Sequence, residues 1–144
     1  MESDRFCFDD TDYYQPTMGA GLKKQFFAFD NRFDVGDMAE VKLLTNCWEE
    51  EYARGAKHDE PRPLNLDPGY LCLGKLVLAS TKDHAHRIYL SQGIYAEATL
   101  HYRHKRWQPG GEWTFADYRR QDYHEFFSQC REYLHGIIHK EGAE

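Results

Sequence analysis

The segment His101-Tyr-Arg-His-Lys-Arg-Trp107 packs two histidines, three cations and two large rings into seven residues. Read as a strand, its alternation sends His101, Arg103, Lys105 and Trp107 to one solvent face. Arg119 and Arg120 would end a neighbouring strand close by, and Trp113 would lie across the connecting turn. A sheet face of cations between flat rings is the chemistry a single-stranded nucleic acid needs. Cations neutralise phosphates, and each stacked base contributes about 1–3 kcal/mol. The candidate binding residues of this face are Arg103, Lys105, Arg106, Trp107, Trp113, Arg119 and Arg120. The same charges would also serve an acidic protein partner, and Lys and Arg on an exposed strand keep an edge soluble with no partner at all. The chain's net charge of −6 withholds the support a high isoelectric point would give to nucleic-acid binding.

A second constellation has the opposite sign. Asp9, Asp10, Asp12, Asp34 and Asp37, with Asp4 and Asp30, are interleaved with Phe and Tyr. Such a negative face steers encounter with a basic partner surface and imitates a phosphate backbone electrostatically. Asp9-Asp-Thr-Asp12 opens like a calcium loop, but the glycine and closing glutamate that a loop of this kind requires do not follow at their places.

The eight histidines raise a metal hypothesis. His84 and His86 would point the same way in a strand, and His135 and His139 stand one helical turn apart. Arg131 sits in the middle of the second flank, H-E-x-x-H is absent, and no cysteine or carboxylate completes a zinc pattern. No Walker loop, G-x-S-x-G or G-x-G-x-x-G occurs. Cys7, Cys47, Cys72 and Cys130 are spaced 40, 25 and 58 residues apart, with no C-x-x-C pair. They read as free thiols of a reducing compartment, with Cys72 and Cys130 on core faces where thiols are inert. No catalytic residue, metal ligand or cofactor is therefore assigned, and a metal- or cysteine-dependent enzyme is the remotest of the readings.

Length and composition set the frame for these residues. A chain of 144 residues makes one domain, 1–144, burying about two-thirds of its unfolded surface. Ten Tyr, nine Phe and three Trp supply a core despite only 41% hydrophobic residues, and they exclude the disordered and low-complexity classes. The N-terminus has neither a basic nor an apolar leader region, and no stretch is apolar enough to span a membrane, so an intracellular location is expected. Charge divides unevenly: residues 1–70 hold 15 acids and 8 bases, residues 71–144 hold 9 and 10. The proline-rich loop 57–69 separates this acidic half from a near-neutral half that contains seven of the eight His.

The elements follow from periodicity. Phe6–Phe8 and Gln25–Phe29 read as strands. Met38, Val41, Thr45, Trp48 and Tyr52 recur at helical spacing, with Asp37 and Glu40 imitating a capping box and Gly55 a stop. The firmest part of that helix is 48–55, because 38–47 also reads as a hairpin strand. Tyr70–Ala79 reads as one central strand, Arg87–Leu90 as a short return strand, and Ile94–Arg103 as a strand with one apolar and one polar face. Trp107 to Trp113 looks like a hairpin connection leading to a return strand over Glu112–Tyr118; a cap at Thr114 and Asp117 would instead make 115–121 helical. Tyr123, Phe126, Phe127, Cys130, Leu134, Ile137 and Ile138 form the stripe of a closing amphipathic helix, with Gly142 past its end.

The sum is an α+β domain: an antiparallel sheet of about five to seven strands, packed by a long C-terminal amphipathic helix, with a shorter helix near 48–55. The expected core is Phe27, Phe29, Leu71, Leu73, Val77, Ile94, Ala98, Leu100, Phe127, Leu134 and Ile138. With no catalytic signature, the expected role is a regulator or inhibitor that binds another macromolecule, first a protein and second a single-stranded nucleic acid. The apolar strands and helix also suit a homodimer.

Overall fold

The computed structural model describes residues 1–55 and 57–141. The protein is α+β, with a five-stranded antiparallel sheet and a long C-terminal helix. The sheet is formed by β3 (Gly69–Cys72), β4 (Lys75–Ser80), β5 (Ile88–Ser91), β6 (Ile94–Arg103) and β7 (Arg106–Pro109). The run expected to be one strand over Tyr70–Ala79 is a hairpin: Leu73 and Gly74 turn, and Cys72 pairs with Lys75. The order is β3-β4-β6-β5, with β7 sharing the far edge of β6 beside β5. Arg87–Leu90 thus does not return onto β4. The chain crosses β6 to reach its other side, so the strands are not a simple meander.

β6 carries the largest surprise. Its alternation puts Ile94, Ala96, Ala98, Leu100 and Tyr102 on one face, but a bulge intervenes: Leu76 pairs with Leu100 while Val77 pairs with Ala98. Thr99 is the extra residue, and past it the inward and outward positions exchange. Ile94 and Ala96 pack on one side of the sheet, Leu100 and Tyr102 on the other. Ala98 is exposed, and Glu97 and Thr99, expected in solvent, are buried.

Each sheet face therefore has its own core. Helix α2 (Met38–Arg54) lays Met38 and Ala39 against Val77, Ala79 and Ile94. Helix α3 (Gln121–Glu141) lays Tyr123, Phe126, Phe127 and Cys130 against Leu76, Leu100 and Trp107. α2 runs its full 17 residues, beyond the 48–55 segment that was firmest in the sequence, and Asp37 begins it without the side-chain bond of a capping box. The α3 stop expected at Gly142 lies outside the described residues. Leu134 is half-buried and Ile138 exposed, so the stripe leaves the sheet before the helix ends.

The N-terminal segment closes the second core. β1 (Phe6–Cys7) pairs with β2 (Lys23–Lys24) around a short helix, α1 (Gln15–Met18), and Glu2 bridges to Phe27. Phe26, not Phe27, enters the core, with its ring 4.8 Å from Tyr123 and 4.9 Å from Phe127. Phe27 and Phe29 point outward and are exposed, the opposite of the expected assignment. In a period-two segment the choice of face is all or none, and Ala28 goes in with Phe26.

Glu112–Tyr118 forms no strand. The hairpin partner of β6 is β7, joined by the two-residue turn His104-Lys105, whose φ angles are 51° and 61°. Trp107 pairs with Tyr102, and its ring is buried in the α3 core rather than on a solvent face. After β7 the chain is held close to β6, where a Cβ on Gly110 would lie 1.9 Å from the Ala98 carbonyl oxygen. A 3-10 turn over Ala116–Arg119, nearer the helical alternative, leads into α3.

Candidate functional site

A cleft of about 810 Å³ opens where loop 57–68, the start of the chain, α2 and the segments after β4 and β7 meet. Apolar strands end here in charged loops, and three ion pairs furnish its walls.

The first pair is built on Glu97, which shares the covered face of its β4 partner Leu78 and is 3% exposed. Its Oε2 accepts from Arg87 Nε at 2.9 Å and pairs with His86 Nε2 at 3.1 Å, and its Oε1 accepts from Thr99 Oγ1 at 3.2 Å. Arg87 also donates to Ser80 Oγ at 2.7 Å and to the Lys82 carbonyl at 3.1 Å. Trp113 stacks on His86, ring centroids 5.0 Å apart and planes 14° apart, and it lies against Gly111, where a Cβ would come within 2.5 Å of the indole. A carboxylate oxygen accepts, so His86 presents its Nε2–H to Glu97.

The second pair is Lys24 with Asp117, a carboxylate 3% exposed. The Lys24 ammonium also sits 4.4 Å from the Tyr118 ring centroid and 5.0 Å from that of Phe8, a cation wrapped by aromatic faces. The third is Lys42 of α2, buried, donating to the Leu66 carbonyl at 2.7 Å and to Asp67 at 3.4 Å. Asp67 in turn accepts from Asn65 at 2.7 Å, and Asn65 accepts from Arg62 at 3.0 Å. Glu49 fixes the same loop by accepting from the Leu66 N–H at 2.6 Å.

Two tyrosines tie the pairs together. Burial, then the charges of Asp67 and Asp117, push the hydroxyls of Tyr14 and Tyr118 up, Tyr118 well above the ordinary phenol range. Both therefore stay protonated as hydrogen-bonding groups. At the rim, Lys82 donates to the Tyr13 hydroxyl at 3.2 Å. The wall thus offers fixed donors, fixed acceptors and one imidazole ring.

The residues singled out from the sequence are scattered by the fold. Lys105, Arg106 and Arg119 meet in a separate notch, and Trp107 lines it while buried in the core. Arg103 is exposed at the end of β6, opposite Arg106. Trp113 belongs to the cleft. Arg120 is drawn off to the other sign: it pairs with Asp122 at 2.7 Å and Asp10 at 3.5 Å, and its hydrogen bonds hold the Asp122 carboxyl below the usual range. Of the acidic set, Asp10 lines the cleft, Asp9 is exposed, and Asp12 accepts from Gln15. Asp34 accepts from the Gly36 N–H and Asp37 precedes α2, so both are tied to that helix's entry.

Glu97, Arg87, Lys42 and Asp67 were not singled out from the sequence, where His86 entered only as a metal candidate beside His84 and Asp117 only as a helix cap. The available signal was the length and polarity of loop 57–69, long for a mere connection. Among the described residues no group of three or more His, Cys, Asp or Glu is placed to hold a metal ion; His135 and His139 contact each other on exposed α3. All four cysteines are free, and burial pushes the Cys130 thiol up. No helix of the described residues is long and apolar enough to cross a membrane. No curated protein and no solved structure matches the chain. The family model described as a domain of unknown function, DUF4416, matches residues 1–133, and the chain belongs to that family.

Proposed function

We propose that the protein binds a small polar ligand in the cleft between loop 57–68, α2 and the loops after β4 and β7. The observation that carries this reading is the concentration of buried ion pairs on one concavity. Taking an ion pair out of water costs several kcal/mol per ion, and well-packed apolar residues of the same volume would hold a fold as well or better. Stability alone does not explain two such pairs, Arg87–Glu97 and Lys24–Asp117, together with the buried Lys42 reaching the exposed Asp67 around one opening, whereas recognition of a polar ligand by groups fixed in advance does. Chemical-shift mapping of the labelled protein against a panel of charged and polar metabolites tests it. Ligands should perturb Trp113, His86 and the Asn65–Asp67 amides, and Lys42→Met should abolish the effect. Perturbations confined to other surfaces would remove the cleft from consideration.

A second reading, a regulator or inhibitor acting on a protein partner, is favoured by the sheet edge. β5 is the terminal strand, and Ile88 is 73% exposed with Tyr89 and Leu90 exposed beside it. An unpaired apolar edge invites a further strand from a partner or a second copy. The acidic residues Asp9, Asp10, Asp12, Asp34 and Asp37 would then steer a basic partner. Affinity capture with wild type and with Ile88→Lys decides it: a partner retained equally by both excludes this edge.

A further inference from the structure

We infer a second, independent site: an anion notch between the β6–β7 hairpin and the start of α3, suited to a di- or triphosphate chain. The notch encloses about 450 Å³, more room than one phosphate fills, and contains Lys105, Arg106 and Arg119 but no carboxylate. Three cations converge here in a chain whose net charge is −6. The side chains of Lys105 and Arg106 make no hydrogen bond or ion pair among the described residues. Arg119 is fixed by donating to the Gly111 carbonyl at 3.0 Å and the Glu112 carbonyl at 3.3 Å, which spends one nitrogen and leaves the others of its guanidinium unengaged.

Two further features suit an acceptor-rich occupant. Gln121 and His124 come from the first turn of α3, the positive end of a 21-residue helix. The turn that presents Lys105 holds two non-glycine residues, His104 and Lys105, at positive φ. Three positive charges match a short polyphosphate better than a single carboxylate, and the arrangement leaves no stacking face for bases, since Trp107 is buried.

Calorimetric titration of the full chain with inorganic tripolyphosphate at low and moderate salt tests the site. Saturable one-to-one binding is expected, weaker at the higher salt. It should fall about tenfold or more in Lys105→Ala/Arg106→Ala and remain unchanged in Lys140→Ala. Neither side chain is bonded within the fold and the backbone pairing of Arg106 with Arg103 does not depend on it, so the double variant keeps its structure, which circular dichroism verifies. The inference is overturned by absence of saturable binding, or by equal binding to the double variant. Orthophosphate binding as tightly as tripolyphosphate also overturns it, as does a short oligothymidine binding more tightly than either. The first of these would mark a single-phosphate site and the second a nucleic-acid strand. None of these results bears on the cleft, whose residues the notch does not share.

Discussion

At the scale of single residues, Glu97 is the group on which most depends. Its carboxylate faces a guanidinium whose side chain is only 6% exposed. Glu97→Gln leaves Arg87 buried without its counter-charge, and removing one partner of such a pair costs about 3–5 kcal/mol. Arg87→Met alone should cost a similar amount. The double variant Glu97→Leu/Arg87→Met, with both charges gone, should unfold in urea much closer to wild type than either single change, while losing every ligand effect at Trp113. Three additive losses would show that the pair is not coupled. The sequence concealed this residue for a definite reason. Glu97 alternates with apolar neighbours as a solvent-facing residue would, but its face of the sheet is covered as well, and the bulge at Thr99 carries Leu100 and Tyr102 to that same side. A bulge is a property of two strands together, so no reading of β6 alone finds it. Phe26 and Phe27 repeat the lesson, because both are apolar and only the tertiary partner decides which one faces α3.

At the scale of elements, α3 and β6 were legible, while strand limits and connections were not. α3 follows from its 3.6-residue stripe, and β6 from its alternation. The β6–β7 turn was missed because His104-Lys105 lacks the Asn-Gly or Asp-Gly chemistry that two left-handed residues favour. The Pro-Gly-Gly that follows drew attention instead, although it serves to bring the chain against β6 at Gly110. This turn gives a prediction of opposite signs. His104→Asn/Lys105→Gly supplies residues that accept positive φ, so the urea midpoint should rise by an amount equivalent to about 1 kcal/mol. The same variant removes one notch cation, so tripolyphosphate affinity should fall. A variant that gains neither stability nor loses affinity would show the turn to be unstrained and Lys105 idle.

At the scale of the whole molecule, the uneven charge of the two sequence halves does not become two faces. The halves are stitched across their charges: Asp10 to Arg120, Lys24 to Asp117, and Tyr13 to Lys82. What the fold gathers is instead protonated phenol. Tyr14, Tyr118 and Tyr123 all have hydroxyls pushed up, each first by burial and then by nearby carboxylates. In the unfolded chain a tyrosine ionises near pH 10, and in the native state these three hold their protons to higher pH. The folded state therefore binds more protons than the unfolded state above about pH 10, and stability must fall as pH rises through that window. Below it both states are protonated and these groups contribute no slope. Each tyrosine that must ionise on unfolding adds at most about 1.4 kcal/mol per pH unit. Urea unfolding followed by circular dichroism should give a flat midpoint from neutrality toward pH 9 and a steep decline beyond 10. Tyr118→Phe, which deletes one of the three hydroxyls, should make that decline shallower without steepening it anywhere below. An unchanged slope in the variant would mean that Tyr118 does not hold its proton through folding, and that the charges around the cleft are more hydrated than their burial implies.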